Sequence, residues 1–207
     1  MAPPRHALSA PPLTLRREFV RKALHLSVGV IPVAYFIGAP RGALVTFLAI
    51  TGMLALLVEG LRRANVAADA TVNRVFGSLM REHEKKSITG ATWLTLSCLV
   101  AVVVLSRGAA IAALWCVTVG DPVATLAGRT WTASRRARSE ARNGKTVAGT
   151  LACAVASFVG VWMLAGYSPV AAAVIAAAGT AAEAMAWRLD DNVLVAGAAG
   201  IVAQLLA

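Results

Sequence analysis

The chain has 207 residues, of which 58% are hydrophobic and only 14% charged, with a mean hydropathy of +0.69. A soluble domain has about 25% charged residues, so a soluble globular class is excluded. The net charge is +10, but the bases lie between long apolar runs rather than on a polar face or tail; this excludes nucleic acid as partner and points to anionic membrane lipids and an anionic substrate.

Residues 1–22 are polar, Pro-rich and Arg-containing, and are expected to form a cytoplasmic N-terminal segment. The apolar run after Lys22 contains Pro32 and has no convincing small-residue cleavage site, so it is read as a span rather than a signal peptide. A bilayer-crossing helix needs about 20 apolar residues. Seven runs approach that length: 23–39, 42–61, 89–106, 108–128, 149–166, 168–187 and 192–207. The expected fold is therefore all-α, a polytopic transmembrane helical bundle of about seven spans forming one domain over 23–207. No internal repeat or linker divides it. Cys98, Cys116 and Cys153 lie singly in separate runs, which suits packing rather than a metal cluster or disulfide framework.

Eighteen of the 20 Lys and Arg residues fall before the first run or after the second, fourth and sixth; only Arg41 and Arg107 lie on the other side. The positive-inside rule then puts the N-terminus in the cytoplasm and the C-terminus outside. All ten acids lie on or toward the inner side as well, so chemistry is expected there. Arg outnumbers Lys 16 to 4 and Ala is abundant, a usage that fits a GC-rich bacterial genome.

Glu18, Arg21, Lys22 and His25 have the i, i+3, i+4, i+7 spacing of one helix face, extending a polar stripe into the first run. Glu59 ends the second run, with Arg62 and Arg63 a turn later, an arrangement that also suits a simple helix-end ion pair. Arg81-Glu82-His83-Glu84-Lys85-Lys86 is a dense charge run just before Thr89-Gly90; alone it would be a solvated face.

Gly120-Asp121-Pro122 is the strongest local signal. Asp121 sits roughly two-thirds of the way across by helix rise, where an ionisable residue is costly and by default functional. Pro122 removes a donor and disfavours helix before it, so the span is expected to break at Gly120–Pro122, with Asp121 capping a new helix. Asn143-Gly144-Lys145-Thr146, followed by Gly149-Thr150, reads as a phosphate-handling loop. It is not a P-loop, because Ser139 stands where that motif needs Gly. Glu183, Asp190, Asp191 and Asn192 offer the carboxylate and amide oxygens that Mg²⁺ prefers.

In order, these pieces resemble the CTP-dependent polyprenol kinase family, which includes phytol kinase, dolichol kinase and a CTP-dependent diacylglycerol kinase. The resemblance covers about residues 18–195. It rests on Glu18-x-x-Arg21-Lys22-x-x-His25, Glu59 with Arg62, Glu84-Lys85 before Thr89-Gly90-Ala91-Thr92, Gly120-Asp121-Pro122 with Gly128-Arg129, Gly144-Lys145-Thr146 with Gly149-Thr150, and Glu183 with Asp190-Asp191-Asn192. Two features depart from it. Ala148 stands where the family has Glu, and the Gly usually found soon after Gly128-Arg129 is missing, with an Arg-rich stretch from Arg135 to Arg142 following.

The resemblance implies a membrane kinase that moves the terminal phosphate of CTP to a polyprenol or related lipid alcohol, with Mg²⁺. It implies catalytic roles for Asp121, Lys145, Glu183, His25, Arg21 and Lys22, and nucleotide contacts from Gly120, Gly144, Lys145, Thr146, Gly149, Thr150, Arg81 and Lys85. Mg²⁺ ligands would come from Asp121, Glu183, Asp190, Asp191, Asn192 and Glu59. Two other readings fit less of the pattern. A cytidylyltransferase making a CDP-lipid would share CTP and Mg²⁺, and a small transporter would use Asp121 to couple ion flux.

Overall fold

The computed structural model describes residues 15–81, 84–85, 87–133, 145–185 and 189–207, and among these every regular element is a helix. Helices α1 (Leu15–Ser27) and α2 (Val30–Phe36) form one kinked stretch. Pro32 has no N–H for the Val28 carbonyl, which takes the Ile31 N–H instead at 2.9 Å, and the kink falls there. Helix already begins at Leu15, so the polar stripe is helical throughout. Gly38, at φ 120°, allows the turn into α3 (Arg41–Ala64).

Asn65 ends α3 and caps α4 (Val66–Phe76), its side-chain oxygen accepting from the Ala67 and Ala68 N–H groups at 2.8 and 3.2 Å. Next come α5 (Gly90–Val104), then α6 (Arg107–Trp115), which runs through a π-helical turn (Cys116–Gly120) into α7 (Asp121–Ala133). Three more helices follow: α8 (Val147–Leu164), α9 (Pro169–Met185) and α10 (Asp191–Leu205).

Four stretches are long and apolar enough to cross a membrane: Arg16–Phe36, Arg41–Ala64, Arg107–Trp131 and Val147–Leu164. Helices α5, α9 and α10 are apolar but shorter, at 15, 17 and 15 residues. The α6–α7 rod is the centre of the bundle, with Ala109, Ala112, Leu114, Cys116 and Val117 wholly buried. Around it, α8 packs on α7, α9 on α8, α10 on α9 and α6, and α3 on α5, while α1 crosses α7.

Polarity is inverted relative to a water-soluble protein. Phe47, Ile50, Met53 and Leu57 of α3 and Leu151, Val155 and Trp162 of α8 face outward, while Glu18, Lys22, Glu59, Arg62, Glu84, Asp121 and Glu183 are buried. A hydrocarbon surround explains both facts. These buried charges gather at one pole. At the other, Arg107 donates to the Tyr35 carbonyl (2.6 Å), Arg41 to the Val103 carbonyl, and Tyr167 to the Ala203 carbonyl (2.8 Å).

Glycines set the closest crossings. A Cβ at Gly160 would overlap the Trp115 indole, whose N–H is committed to the Ala156 carbonyl at 3.0 Å. Gly197 has nothing within 4 Å of such an atom. Gly160→Ala is therefore expected to lower stability by about 1–3 kcal/mol through overpacking, more than the gain in helix propensity. Gly197→Ala is expected to leave it unchanged or slightly raised. Thermal unfolding of both variants in the same detergent reads the difference.

Candidate active site

Asp121 does not cap a new helix, and the span does not break. Its backbone is helical (φ −63°, ψ −47°), and its N–H donates to the Cys116 carbonyl in the wide π register. The π turn accommodates Pro122 without a break. In that register the Val117 carbonyl would look to residue 122, which is proline and has no N–H. His25 Nε2 fills the gap, donating to Val117 O at 3.0 Å. The nitrogen facing a carbonyl must bear the proton. Sequence reasoning missed this carbonyl; the available signal was Pro122 itself, which leaves a carbonyl unpaired wherever it sits within a helix.

Asp121 is completely buried. Lys22 Nζ donates to its Oδ2 at 2.6 Å, and His25 Nδ1 lies 3.8 Å from the same oxygen, while Oδ1 has no partner. The expected stripe is present: Glu18 and Lys22 are buried and Arg21 and His25 half-buried, while Phe19, Val20, Ala23 and Leu24 are exposed. Arg21 binds Glu18 at 2.7 Å, and Arg81 lies 3.7 Å from the same carboxylate.

On the α8–α9 side, Lys145 is ion-paired with buried Glu183, and the charges of both reach Asp121. Thr146 caps α8, its Oγ1 accepting from the Gly149 N–H at 3.0 Å. A Cβ at Gly149 would stand 2.6 Å from the Ala124 carbonyl, so this glycine lets α8 meet α7. Thr150 is half-buried on the first turn of α8, and Gly120 lies against the Ser157 hydroxyl, with which a Cβ would collide. Gly144, Asn143, Glu82, His83, Lys86 and the stretch from Arg135 to Arg142 lie outside the described residues.

Most of the remaining acids are engaged. Glu59 accepts from the Thr89 N–H (2.9 Å), the Thr92 hydroxyl (3.4 Å) and Arg62 (3.2 Å). Buried Arg62 also reaches Asp69 of α4 (3.2 Å) and the carbonyls of Glu84 (3.1 Å) and Lys85 (2.9 Å). It thus ties together α3, α4 and the segment before α5, well beyond a helix-end pair. Glu84 is buried rather than solvated and accepts from the N–H groups of Arg81 (2.8 Å) and Gly90 (3.3 Å). Asp190 caps α10 and accepts from Asn192 N (3.0 Å) and Nδ2 (2.6 Å); burial, with Asp191 beside it, pushes its carboxyl above the usual range. Asn192 also donates to the Gly90 carbonyl at 3.3 Å, leaving its buried Oδ1 without a partner.

A cavity of about 530 Å³ opens between α1, α3, α4, α5 and the start of α10. Leu24, Val28, Leu54, Val58, Leu94 and Phe76 line its apolar length, and Arg21, Lys22, His25, Glu59, Asp191 and Asn192 its polar end. Nothing in the sequence announces it, because its walls come from separated segments. Among the described residues no group of three or more His, Cys, Asp or Glu side chains converges as a metal site. Asp121, with its free Oδ1, and Glu183 are hard oxygen donors that suit Mg²⁺ when phosphate oxygens complete the shell. Glu59 and Asp190 are already occupied by donors.

Set beside protein-family models, curated proteins and solved structures, the chain matches none.

Losing one partner of a buried ion pair strands the other, at about 3–5 kcal/mol. Lys22→Met is expected to destabilise the protein by that amount, whereas Lys22→Met combined with Asp121→Leu should recover most of the loss. Unfolding of the single and double variants in detergent measures the coupling; additive losses would mean that the pair does not hold α1 to α7.

Proposed function

We propose that this chain is a seven-span kinase of a bacterial cell membrane that transfers the terminal phosphate of CTP to a polyprenol or related lipid alcohol. Its N-terminus and charged pole face the cytoplasm, and its C-terminus lies outside. The observation that carries the reading is the cavity. Its apolar length suits an alkyl or prenyl chain, and its polar end, at Lys22, suits a hydroxyl. Lys22 is bonded to Asp121, and beyond that pair stand Lys145 and Glu183, whose charges reach Asp121. The choice of CTP and of an isoprenoid acceptor rests on the family resemblance.

Phosphoryl transfer is mainly positioning and charge neutralisation. In this reading the lipid chain lies in the cavity and presents its hydroxyl at the polar end. Lys145 exchanges Glu183 for a phosphate oxygen of the nucleotide. Lys22 and Arg21 neutralise charge on the transferring group. Asp121 and Glu183 would hold Mg²⁺, which when bound offsets the negative charge of the phosphates.

The seven-span topology draws support from the alternation of poles. Helices α5, α9 and α10 are roughly 22–26 Å long at 1.5 Å per residue, close to the hydrocarbon thickness of about 30 Å once their flanking residues are added. Single cysteines at Ser106 and Ser78, both exposed, are expected to lie on opposite sides in a background lacking the native cysteines. An impermeant thiol reagent added to intact cells should label Ser106→Cys and spare Ser78→Cys; equal labelling would sink this topology.

The activity is read with gamma-labelled CTP, ATP, GTP and UTP against farnesol, geranylgeraniol, phytol, long polyprenols and diacylglycerol. Label in the lipid with release of CDP is expected. Release of pyrophosphate, with a lipid phosphate offered in parallel, would instead favour the cytidylyltransferase. Lys145→Ala is expected to lower kcat/KM for CTP by about ten- to a hundredfold, the loss of one hydrogen bond to a charged group at about 1.5–3 kcal/mol. Arg63→Ala, at an exposed base, should change it at most several-fold. Equal effects would remove Lys145 from the nucleotide site.

A further inference from the structure

The kinase reading leaves open what receives the proton of the acceptor hydroxyl, and the carboxylates divide on that question. Glu18, Glu59 and Asp69 are bonded to arginines, Asp121 and Glu183 to lysines. Glu84 and Asp190 are taken up by N–H donors. Of the carboxylates among the described residues, Asp191 alone has no side-chain hydrogen bond or ion pair, and it lines the polar end of the cavity. Beside it in the same lining, Asn192 is buried and its Oδ1 has no partner. Asn192 Oδ1 is thus an acceptor open to a donor, and a hydroxyl at the end of an apolar chain supplies one.

From this we infer that Asp191 is the general base of the reaction, accepting the proton of the lipid hydroxyl, with Asn192 Oδ1 as the neighbouring acceptor that helps seat it. The inference rests on the kinase reading. The hydroxyl oxygen forms a bond to the terminal phosphorus, and the bond from that phosphorus to the nucleoside diphosphate breaks, its electron pair leaving with the diphosphate. The hydroxyl proton passes to the Asp191 carboxylate and is returned to water after the product departs.

Position supports the assignment. The charges of Arg21 and His25 on α1 and of Glu183 at the end of α9 all reach Asp191, so it stands between the cavity and the Lys145–Glu183 pair. Capping does not require it, because Asp190 caps α10. A substitution at Asp191 thus spares the bond that starts the helix.

The full-length protein, purified in detergent, is assayed with CTP and geranylgeraniol and with a fluorinated analogue whose hydroxyl is more acidic. General-base removal typically costs about 10²–10⁴ in rate. Asp191→Asn is expected to lower kcat at least about a hundredfold on geranylgeraniol, with both KM values changed less than threefold. On the acidified alcohol, which releases its proton more readily, the defect should shrink at least tenfold. Asp191→Glu, which keeps the carboxylate, should fall between wild type and Asp191→Asn; Asp191→Ala takes the place of the amide variant if that does not fold. A kcat within threefold of wild type in Asp191→Asn, or in its absence in Asp191→Ala, overturns the assignment. So does an equal defect on both alcohols, the mark of a merely structural residue. A wild-type protein that phosphorylates no alcohol overturns the kinase reading and the inference with it; an active wild type with an unaffected variant overturns the role of Asp191 alone.

Discussion

The Lys22–Asp121 bond joins side chains 99 residues apart and buries both almost completely. Neither charge could stand alone in an apolar interior, because isolated ions there are heavily penalised. The pair therefore fixes how α1 lies against α7. Once Lys22 is placed, the helical period places His25 one turn further along, under the orphaned Val117 carbonyl, and puts Arg21 beside Glu18 at the rim of the cavity. Pro122 and the π turn contribute the other half of the arrangement. They aim Asp121 into the bundle and leave the carbonyl that His25 satisfies.

A second network sets the roof of the cavity. Arg62 draws bonds from α3, α4 and the segment before α5 onto one guanidinium, whose planar fork of donors suits several acceptors at once. Through Asp69 it holds α4, which contributes Val72 and Phe76 to the cavity wall, and Glu59 holds the start of α5 by the Thr89 N–H. Glu59 thus acts as an anchor, and Asp190 as a cap. This is why two of the acids with the composition of metal ligands sit in framework roles.

Much of the charged face was legible because helical spacing is strict. Glu18, Lys22 and His25 recur on one side of α1, and the acids of the chain crowd toward one end of the apolar runs. The depth of Asp121 was legible for the same reason, since helix rise converts sequence position into position along the axis. What Pro122 does was not. A proline permits a break, a kink or a wider turn, and the packing of His25 on Val117 and of Gly29 on Val119 selects among them. Helix α4 was hidden by its charged and polar residues, which read as a loop until Asn65 is seen to cap it. Pairings such as Lys145 with Glu183 join separate helices, and no local pattern encodes them.

The two lysines of the site have the same design. Each is held by a carboxylate, Lys22 by Asp121 and Lys145 by Glu183, and the charges of Lys145 and Glu183 both reach Asp121. In the proposed reaction a bound polyphosphate must compete with these carboxylates for the lysines. A singly charged anion offers little more than the carboxylate it would replace, whereas a triphosphate brings several charges and can engage both lysines. The carboxylates it displaces then become available to a cation that arrives with the phosphates. In that reading the paired lysines would favour highly charged ligands over singly charged ones, and the pairing leaves the buried charges compensated. In that reading the cavity's polar end, with Arg21, Lys22 and Arg62 against Glu59, Glu84 and Asp191, is a balanced set that would suit an uncharged hydroxyl. In the proposed reaction the side of α1 that lines the cavity would take a neutral head, and the Lys145 side a polyanion.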